Sequence, residues 1–182
     1  MQSQWPPIYD YEGLLQTIKR LKENGQLIKN FYSSDRERAF LQGDVIKLDA
    51  PELLINSNGQ AEKLDSSGFW VIMSNSCDLD RSIEQVKYAQ LIPIELYQEL
   101  SEDLLLRAKK YETSRTFYMP PWEDKQLVHG IADFCRPVTV SREALSKLAL
   151  LVTRLNFHSW LLFHSCIVRF LARADGRHVP TI

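Results

Sequence analysis

A run of five apolar side chains at residues 69–73 constrains the fold of this chain more than any other feature. The run is bounded by Gly68 and Ser74 and is short, which predicts a β-strand. Successive side chains of a strand point to opposite faces of its sheet. An uninterrupted apolar strand is therefore buried on both faces or closed into a barrel.

Four further segments share the β pattern, and four segments show the apolar spacing of amphipathic helices. The predicted strands, beside 69–73, are 43–48, 86–94, 115–119 and 128–134. The predicted helices are one between Asp10 and Gly25, one over 95–110, one that Ser141 caps and that includes Leu151, and one that Asn156 caps and that ends at Gly176. Polar stretches at 30–40 and 56–65 are predicted to be a connection and a long exposed loop.

These elements predict an α+β fold: a small, mainly antiparallel SH3-like barrel with an N-terminal helix, a middle helix and a C-terminal helical pair. An open sheet with helices on one face is the alternative. A length of 182 residues is typical of one domain. We expect a single domain over 1–182, with a helical extension at 1–30, the barrel at 41–135 including the helix 95–110, and the C-terminal helices at 141–176.

The charge balance and the cysteines limit the function classes. Lys and Arg number 22 against 23 acidic residues, so nucleic-acid binding would require a local basic patch. The three cysteines are scattered, which is typical of free thiols in a reducing compartment. No apolar run approaches the roughly 20 residues of a membrane span, and the first residues do not resemble a signal peptide. We therefore expect a cytoplasmic protein that does not enter a membrane.

The densest group of polar side chains follows the strand predicted at 69–73. Asp44 and this group, namely Asn75, Cys77, Asp78 and Asp80, form the candidate site. Cys77 is a candidate nucleophile if a neighbouring cation lowers the pKa of its thiol. In the alternative interpretation, Cys77 points into the core while Asn75 and Asp78 satisfy the amides of a turn.

Two alternatives also apply to the acidic pair. If the segment is extended, Asp78 and Asp80 lie on the same side and are able to share a divalent cation. Otherwise they are solvated turn residues or partners of Arg81. The four histidines lack ligand spacing, and His164 is predicted to be a hydrogen-bonded core residue. We predict neither a metal site nor a cofactor.

Basic residues offer a nucleic-acid hypothesis. Arg169 and Arg173 are four residues apart on one predicted helix face, so they form a stripe able to meet phosphates. Lys63 and Arg81 complete the set of nucleic-acid-binding candidates. Pairing with acidic side chains is the alternative for each of them.

Residues 43–48, 68–75 and 91–94 together resemble the PemK/MazF toxin family, over about residues 43–95. The resemblance implies an SH3-like barrel, a toxin–antitoxin or defence context, and single-stranded RNA as substrate. It also implies an arginine in the loop before the second strand, where this chain has Lys63. A Ser or Thr is expected after the Pro-containing strand, where this chain has Glu95.

The predicted strands match the family, but the two expected residues are absent and the chain has additional amphipathic helices. These observations favour a non-catalytic or degenerate PemK/MazF-like barrel that acts as an accessory or protein-interaction component of a bacterial defence or toxin–antitoxin system. The expected partner is another protein, and single-stranded RNA and a second copy of the chain are further candidates. The rival hypothesis is an enzyme. It is either a ribonuclease that acts on single-stranded RNA or an enzyme that uses Cys77 and Asp78.

Overall fold

The computed structural model describes residues 16, 18–20, 23, 31–35, 39–50, 52–111, 113–122 and 128–172. The strands in these ranges are β1 (Tyr32–Ser33), β2 (Val45–Lys47), β3 (Glu52–Ile55), β4 (Ala61–Leu64), β5 (Phe69–Ile72), β6 (Tyr88–Tyr97), β7 (Thr116–Met119), β8 (His129–Asp133), β9 (Val138–Ser141) and β10 (Leu150–Leu155). The helices whose bounds lie in these ranges are α1 (Ser76–Asp80), α2 (Glu102–Lys110), α3 (Arg142–Leu148) and α4 (Phe157–Ala172).

One large sheet organises the protein. Its strand order is β1-β10-β2-β5-β6-β8-β7, with β9 paired to β6, while β3 and β4 form a separate hairpin. Every described pairing is antiparallel. The predicted α+β class with a mainly antiparallel sheet is therefore confirmed.

The long strand β6 joins two parts of the sheet. Its middle pairs with β5, where Val71 lies opposite Ile92. Its first half pairs with β9 and its second half with β8. Five of its ten residues are buried, Ala89 and residues 91–94, so the burial is concentrated in the middle of the strand.

The apolar strand β5 is buried on both faces, as its sequence predicts. Phe69 and Val71 belong to one cluster of buried side chains, and Trp70 and Ile72 belong to a second. Helix α4 covers the first face of the sheet with four buried residues: Leu162, Phe163, Cys166 and Ile167. Leu145 of α3 packs on the second face. Because alternate side chains of β5 point to opposite faces, the sheet separates two hydrophobic cores.

The first and last strands of the sheet approach each other. The hydroxyl of Tyr32 in β1 donates to the carbonyl oxygen of Pro120, just after β7, at 2.5 Å. The rings of Phe31 and Phe117 also lie in contact, with centroids 6.2 Å apart. The sheet is thus curled, but the described residues give no backbone pairing between β1 and β7. They contain no closed barrel.

Several predicted boundaries are wrong. The helix predicted over 95–110 begins only at Glu102, because Glu95–Tyr97 continue β6 and pair with β8. The helix predicted to include Leu151 ends at Leu148, and the residues after it form β10 beside β2. The predicted C-terminal helical pair is therefore one short helix, a strand and one long helix.

The segments predicted to be irregular contain strands as well. The predicted loop 56–65 is largely the second half of the β3–β4 hairpin, with Asn56 and Gly59 in its turn. The predicted connection 30–40 includes β1. Both β1 and β4 are short and polar, so they lack the alternation of apolar and polar residues by which a strand is predicted.

The predicted N-terminal helix lies mostly outside the described residues. Residues 18–20 are helical, and Ile18 is buried in the cluster that α4 covers. The predicted end of the last helix at Gly176 also lies outside them. None of the described helices combines the length and the apolar content of a membrane span.

Candidate functional site

The turn after β5 is built by side chains that accept hydrogen bonds from backbone amides. Asn75 caps α1, because its Oδ1 accepts from the amide of Cys77 at 2.9 Å. Ser74 Oγ accepts from the amide of Gln90 at 2.8 Å. Ser76 Oγ accepts from the amide of Gln42 at 3.0 Å. Asn75 therefore has the turn-forming role that one interpretation of the sequence expected.

Gln42 connects this turn to helix α4, a role that its sequence context does not signal. Its side chain is buried and donates through Nε2 to the carbonyl oxygen of Met73 at 2.8 Å. Its Oε1 accepts from Trp160 Nε1 at 3.2 Å and pairs with His164 Nδ1 at 3.0 Å. Because an amide oxygen only accepts, His164 donates to Gln42 through Nδ1.

The Gly43–Asp44 pair lies directly beside Gln42. Gly43 has φ of +87°, which strains other residues, and a Cβ there would lie 2.9 Å from Leu155 Cδ1. Asp44 is fully buried and accepts from Arg154 Nε and Nη2, each at 2.8 Å, and from the amide of Leu41 at 2.8 Å. Burial raises the pKa of Asp44, and these hydrogen bonds oppose that rise. Asp44 is thus an internal ion-pair partner.

Cys77 is exposed, so the interpretation that its thiol points into the core is wrong. Asp78 forms an ion pair with Arg81 at 3.7 Å on the surface. Asp78 and Asp80 lie two apart on a helix and therefore point to different sides, unlike alternate residues of an extended segment. Among the described residues no three His, Cys, Asp or Glu side chains gather where a metal ion would bind.

The basic candidates that the structure describes have different surroundings. Lys63 lies in β4, opposite Leu53, and the hairpin joins the end of β2 to the start of β5. Lys63 is therefore at the opposite end of these strands from Asn75. Arg169 Nη2 donates to the carbonyl oxygen of Thr113 at 2.5 Å, whereas Arg81 pairs with Asp78. Arg173 lies outside the described residues.

A second charged cluster anchors the hairpin to the large sheet. Arg136 donates to the buried Glu52 through Nε at 3.0 Å and pairs with Glu95 of β6 through Nη1. The hydroxyl of Tyr97 donates to Glu95 Oε2 at 2.5 Å. The pKa of Glu95 is lowered, first by Tyr97 and then by Arg136, and the pKa of Tyr97 is raised to about 12. Glu95 and Arg136 therefore form an ion pair that helps to hold the hairpin against the large sheet.

An open groove of about 780 Å³ lies between α1, α3 and the start of β10. Apolar residues form most of its lining, and polar or charged residues form the rest. The apolar lining residues are Ala39, Phe40, Leu41, Leu79, Ile83, Leu145, Ala149, Leu150 and Leu151. The polar and charged ones are Ser76, Cys77, Asp80, Arg81, Arg142 and Ser146. The groove thus joins the candidate turn to a surface that the sequence did not reveal.

Arg142 holds one side of this groove together. Its Nη1 donates to the carbonyl oxygens of Arg81 at 2.8 Å and Val86 at 3.1 Å, and its Nη2 donates to that of Leu79. These carbonyl groups follow or end α1, where the helix dipole favours a cation. Arg142 therefore fixes the loop after α1 while placing a positive charge beside the groove.

The fold and the site define a class: an α+β protein with a curled antiparallel sheet and an open, largely apolar surface groove. Comparison with known proteins finds no family model that matches the chain and no curated sequence that is significantly similar to it. The PemK/MazF resemblance stays a prediction from the residues that carry it.

Proposed function

We propose that this protein is a non-catalytic, PemK/MazF-like protein that acts by binding another protein, as a component of a bacterial defence or toxin–antitoxin system. The observation that carries the proposal is the groove between α1, α3 and β10. Three large aliphatic side chains in its lining remain partly or largely exposed: Leu41, Ile83 and Leu150. Exposed apolar surface of this kind is typical of sites that bind a partner.

The polar residues beside the groove support a non-catalytic role. Asn75, Ser74 and Ser76 use their acceptor oxygens on backbone amides, and Asp44 is engaged with Arg154. A nucleophile requires a base within hydrogen-bond reach, and the described residues give the thiol of Cys77 no such bond. Their arrangement supports a turn that is held in place beside the groove.

We also propose that the curled sheet corresponds to an SH3-like barrel that is incompletely paired. The contacts of Tyr32 with Pro120 and of Phe31 with Phe117 support this assignment, because they bring the edge strands of the sheet together. The missing backbone pairing would then be replaced by side-chain packing.

The experiment that tests the function is quantitative co-purification from the native host with a matched pair of variants. Leu150 lines the groove and is 67% exposed, whereas Leu53 on the hairpin is 62% exposed. Neither Leu150→Asp nor Leu53→Asp introduces a charge into the core. We expect wild type and Leu53→Asp to retain a specific protein in fixed ratio and Leu150→Asp to lose it.

The rival enzyme hypothesis is tested in parallel. Incubation of the same protein with mixed single-stranded RNA, with and without divalent cations, is expected to give no cleavage. Cleavage that Cys77→Ser or Asp78→Ala abolishes would replace the proposal. A monodisperse monomer that retains no specific protein, or a partner retained equally by Leu150→Asp, would also overturn it.

A further inference from the structure

The tip of the β3–β4 hairpin contains an Asn-Gly pair, in which a side-chain amide lies next to an unshielded backbone amide. Asn58 and Gly59 are both exposed, and a Cβ added at Gly59 would meet no atom within 4 Å. Because glycine has no side chain, its backbone nitrogen approaches the preceding asparagine with little steric hindrance. The two reactive groups are therefore close together and open to water.

Asn58 differs from the other asparagines in the described ranges in its hydrogen bonds. The Oδ1 atoms of Asn56, Asn75 and Asn156 each accept from a backbone amide two or more residues later. The side chain of Asn58 has no hydrogen bond within the described part of the chain. Each of the other three is also followed by a residue with a side chain. Asn58 alone among these four thus combines a free side chain with an unhindered neighbour.

We propose that Asn58 is a site of spontaneous deamidation. The backbone nitrogen of Gly59 forms a bond to Cγ of Asn58 and gives its proton to water, while the side-chain nitrogen takes up a proton and leaves as ammonia. Water then opens the resulting cyclic imide at either of its carbonyl carbons. The product is aspartate, or isoaspartate in which the main chain continues through Cγ. Water is the co-reactant, and the inference does not depend on the proposed function.

The hydrogen bonds of Asn56 control the rate, because they hold the turn closed. Its Oδ1 accepts from the amides of Asn58 and Gln60, each at 3.0 Å, and its carbonyl oxygen accepts from the amide of Gly59 at 2.9 Å. The nitrogen that attacks is therefore a hydrogen-bond donor within the turn. The reaction requires this turn to open locally, so the folded chain reacts more slowly than the unfolded chain.

Either product changes the tip of the hairpin. Residues 56–60 include no charged side chain, so both products introduce a carboxylate there. Isoaspartate also adds one atom to the main chain before Gly59, which disrupts the bond from the Gly59 amide to the carbonyl oxygen of Asn56. A two-stranded hairpin is marginally stable by itself. We therefore expect isoaspartate to loosen β3 and β4 while the large sheet stays intact.

Incubation of the full chain at several pH values, followed by tryptic peptide mapping and enzymatic isoaspartate labelling, tests the proposal. We expect Asn58 to convert before Asn56, Asn75 and Asn156, at a rate that rises with pH because the attacking nitrogen loses its proton. In guanidinium chloride the unfolded chain is expected to convert Asn58 about tenfold faster. A second Asn-Gly pair, at 24–25, lies outside the described residues and falls on a separate tryptic peptide.

Two substitutions of Asn56 separate the effect of the turn from that of the Asn-Gly sequence. Asn56→Asp keeps a side-chain oxygen that accepts from the two amides, whereas Asn56→Ala removes it. We expect Asn56→Ala to raise the rate at Asn58 about tenfold and Asn56→Asp to leave it near that of wild type. Asn58→Gln is expected to abolish conversion at this position, because its longer side chain forms the ring much more slowly.

The same measurements define what would overturn the proposal. Conversion of Asn75 or Asn156 as early as Asn58 would contradict it, as would an unmodified Asn58 in the folded chain when the unfolded chain has converted fully. Equal rates in the two Asn56 variants would show that the turn does not control the reaction. Hydrogen exchange of the converted chain tests the consequence: we expect faster exchange over 52–64 and unchanged exchange in β5 and β6, and an unchanged hairpin would contradict it.

Discussion

The ion pair between Asp44 and Arg154 is the most buried charge interaction among the described residues. Both side chains are almost fully enclosed, and two hydrogen bonds join them. Arg154 also donates to the carbonyl oxygen of Ala39 at 2.6 Å, which fixes the segment that lines the groove. Without Asp44, Arg154 would keep only a 3.9 Å ion pair with the exposed Asp35, so its charge would be poorly compensated where water has little access.

Asp44→Ala is therefore expected to lower the free energy of unfolding by about 3–5 kcal/mol. The double variant Asp44→Ala/Arg154→Leu is expected to recover much of that loss, because no charge remains buried. Urea unfolding followed by tryptophan fluorescence measures both, with Asp80→Ala as the exposed control. A loss below about 1 kcal/mol for Asp44→Ala would contradict the role of this pair.

At the scale of the elements, the β3–β4 hairpin depends on the charged cluster at its base. Arg136 holds Glu52 of β3 and Glu95 of β6, so it ties the separate hairpin to the large sheet. The hydroxyl of Tyr97 adds a hydrogen bond to the Glu95 carboxylate. The ionised form of Glu95 is therefore the one that the folded state favours.

This arrangement predicts a dependence on pH. Because the folded state lowers the pKa of Glu95 below its ordinary value of 4.5, the stabilisation is present above that value and is lost as the pH falls through the folded pKa. Tyr97→Phe removes the largest cause and is expected to raise the pKa of Glu95. NMR titration of the glutamate side chains measures this pKa. Tyr88→Phe, an exposed position of the same strand, is the control, and an unchanged pKa in Tyr97→Phe would contradict the assignment.

At the scale of the whole molecule, the curl of the sheet depends on side chains where its ends meet. Tyr32 provides the hydrogen bond to Pro120, and its ring contacts Trp122 with centroids 6.4 Å apart. Burial raises the pKa of Tyr32 well above its ordinary value, so its hydroxyl stays protonated as a donor. The two edges are thus held by few contacts compared with the paired centre.

Tyr32→Phe is expected to lower the free energy of unfolding by about 1 kcal/mol and to speed amide hydrogen exchange in β1 and β7. Exchange in β2 and β5, at the paired centre, is expected to stay unchanged. Mass-spectrometric hydrogen exchange measures these segments separately, beside the exposed control Tyr88→Phe. A uniform acceleration over all strands would show that the bond acts on global stability and not on the curl.

The candidate site was only partly predictable from its residues. The turn after β5 and its polar side chains were visible because an apolar strand is followed at once by Ser74 and Asn75. Gln42 and Arg142 were missed, because their hydrogen-bond partners are distant in the chain: carbonyl groups for both, and side chains of α4 for Gln42. A hydrogen bond to a remote carbonyl leaves no periodic signal in the sequence.

Strand β10 shows that the prediction of secondary structure from sequence is limited in the same way. Residues 150–155 are Leu-Leu-Val-Thr-Arg-Leu, a short mixed run that suits a helix or a strand. In the structure the run pairs with β2 as a strand, and the guanidinium of Arg154 forms an ion pair with the carboxylate of Asp44. Arg154 is consequently a buried, paired residue of the sheet.

What the sequence determined by itself is the burial of β5 on both faces, the β character of its neighbours and the α+β class, because these depend on side chains close together in the chain. Only the tertiary structure decided that β10 is a strand, that Asp44 is paired and that α1, α3 and β10 enclose a groove. These features arise from contacts between distant segments, whose free energies exceed the small local preferences of short runs.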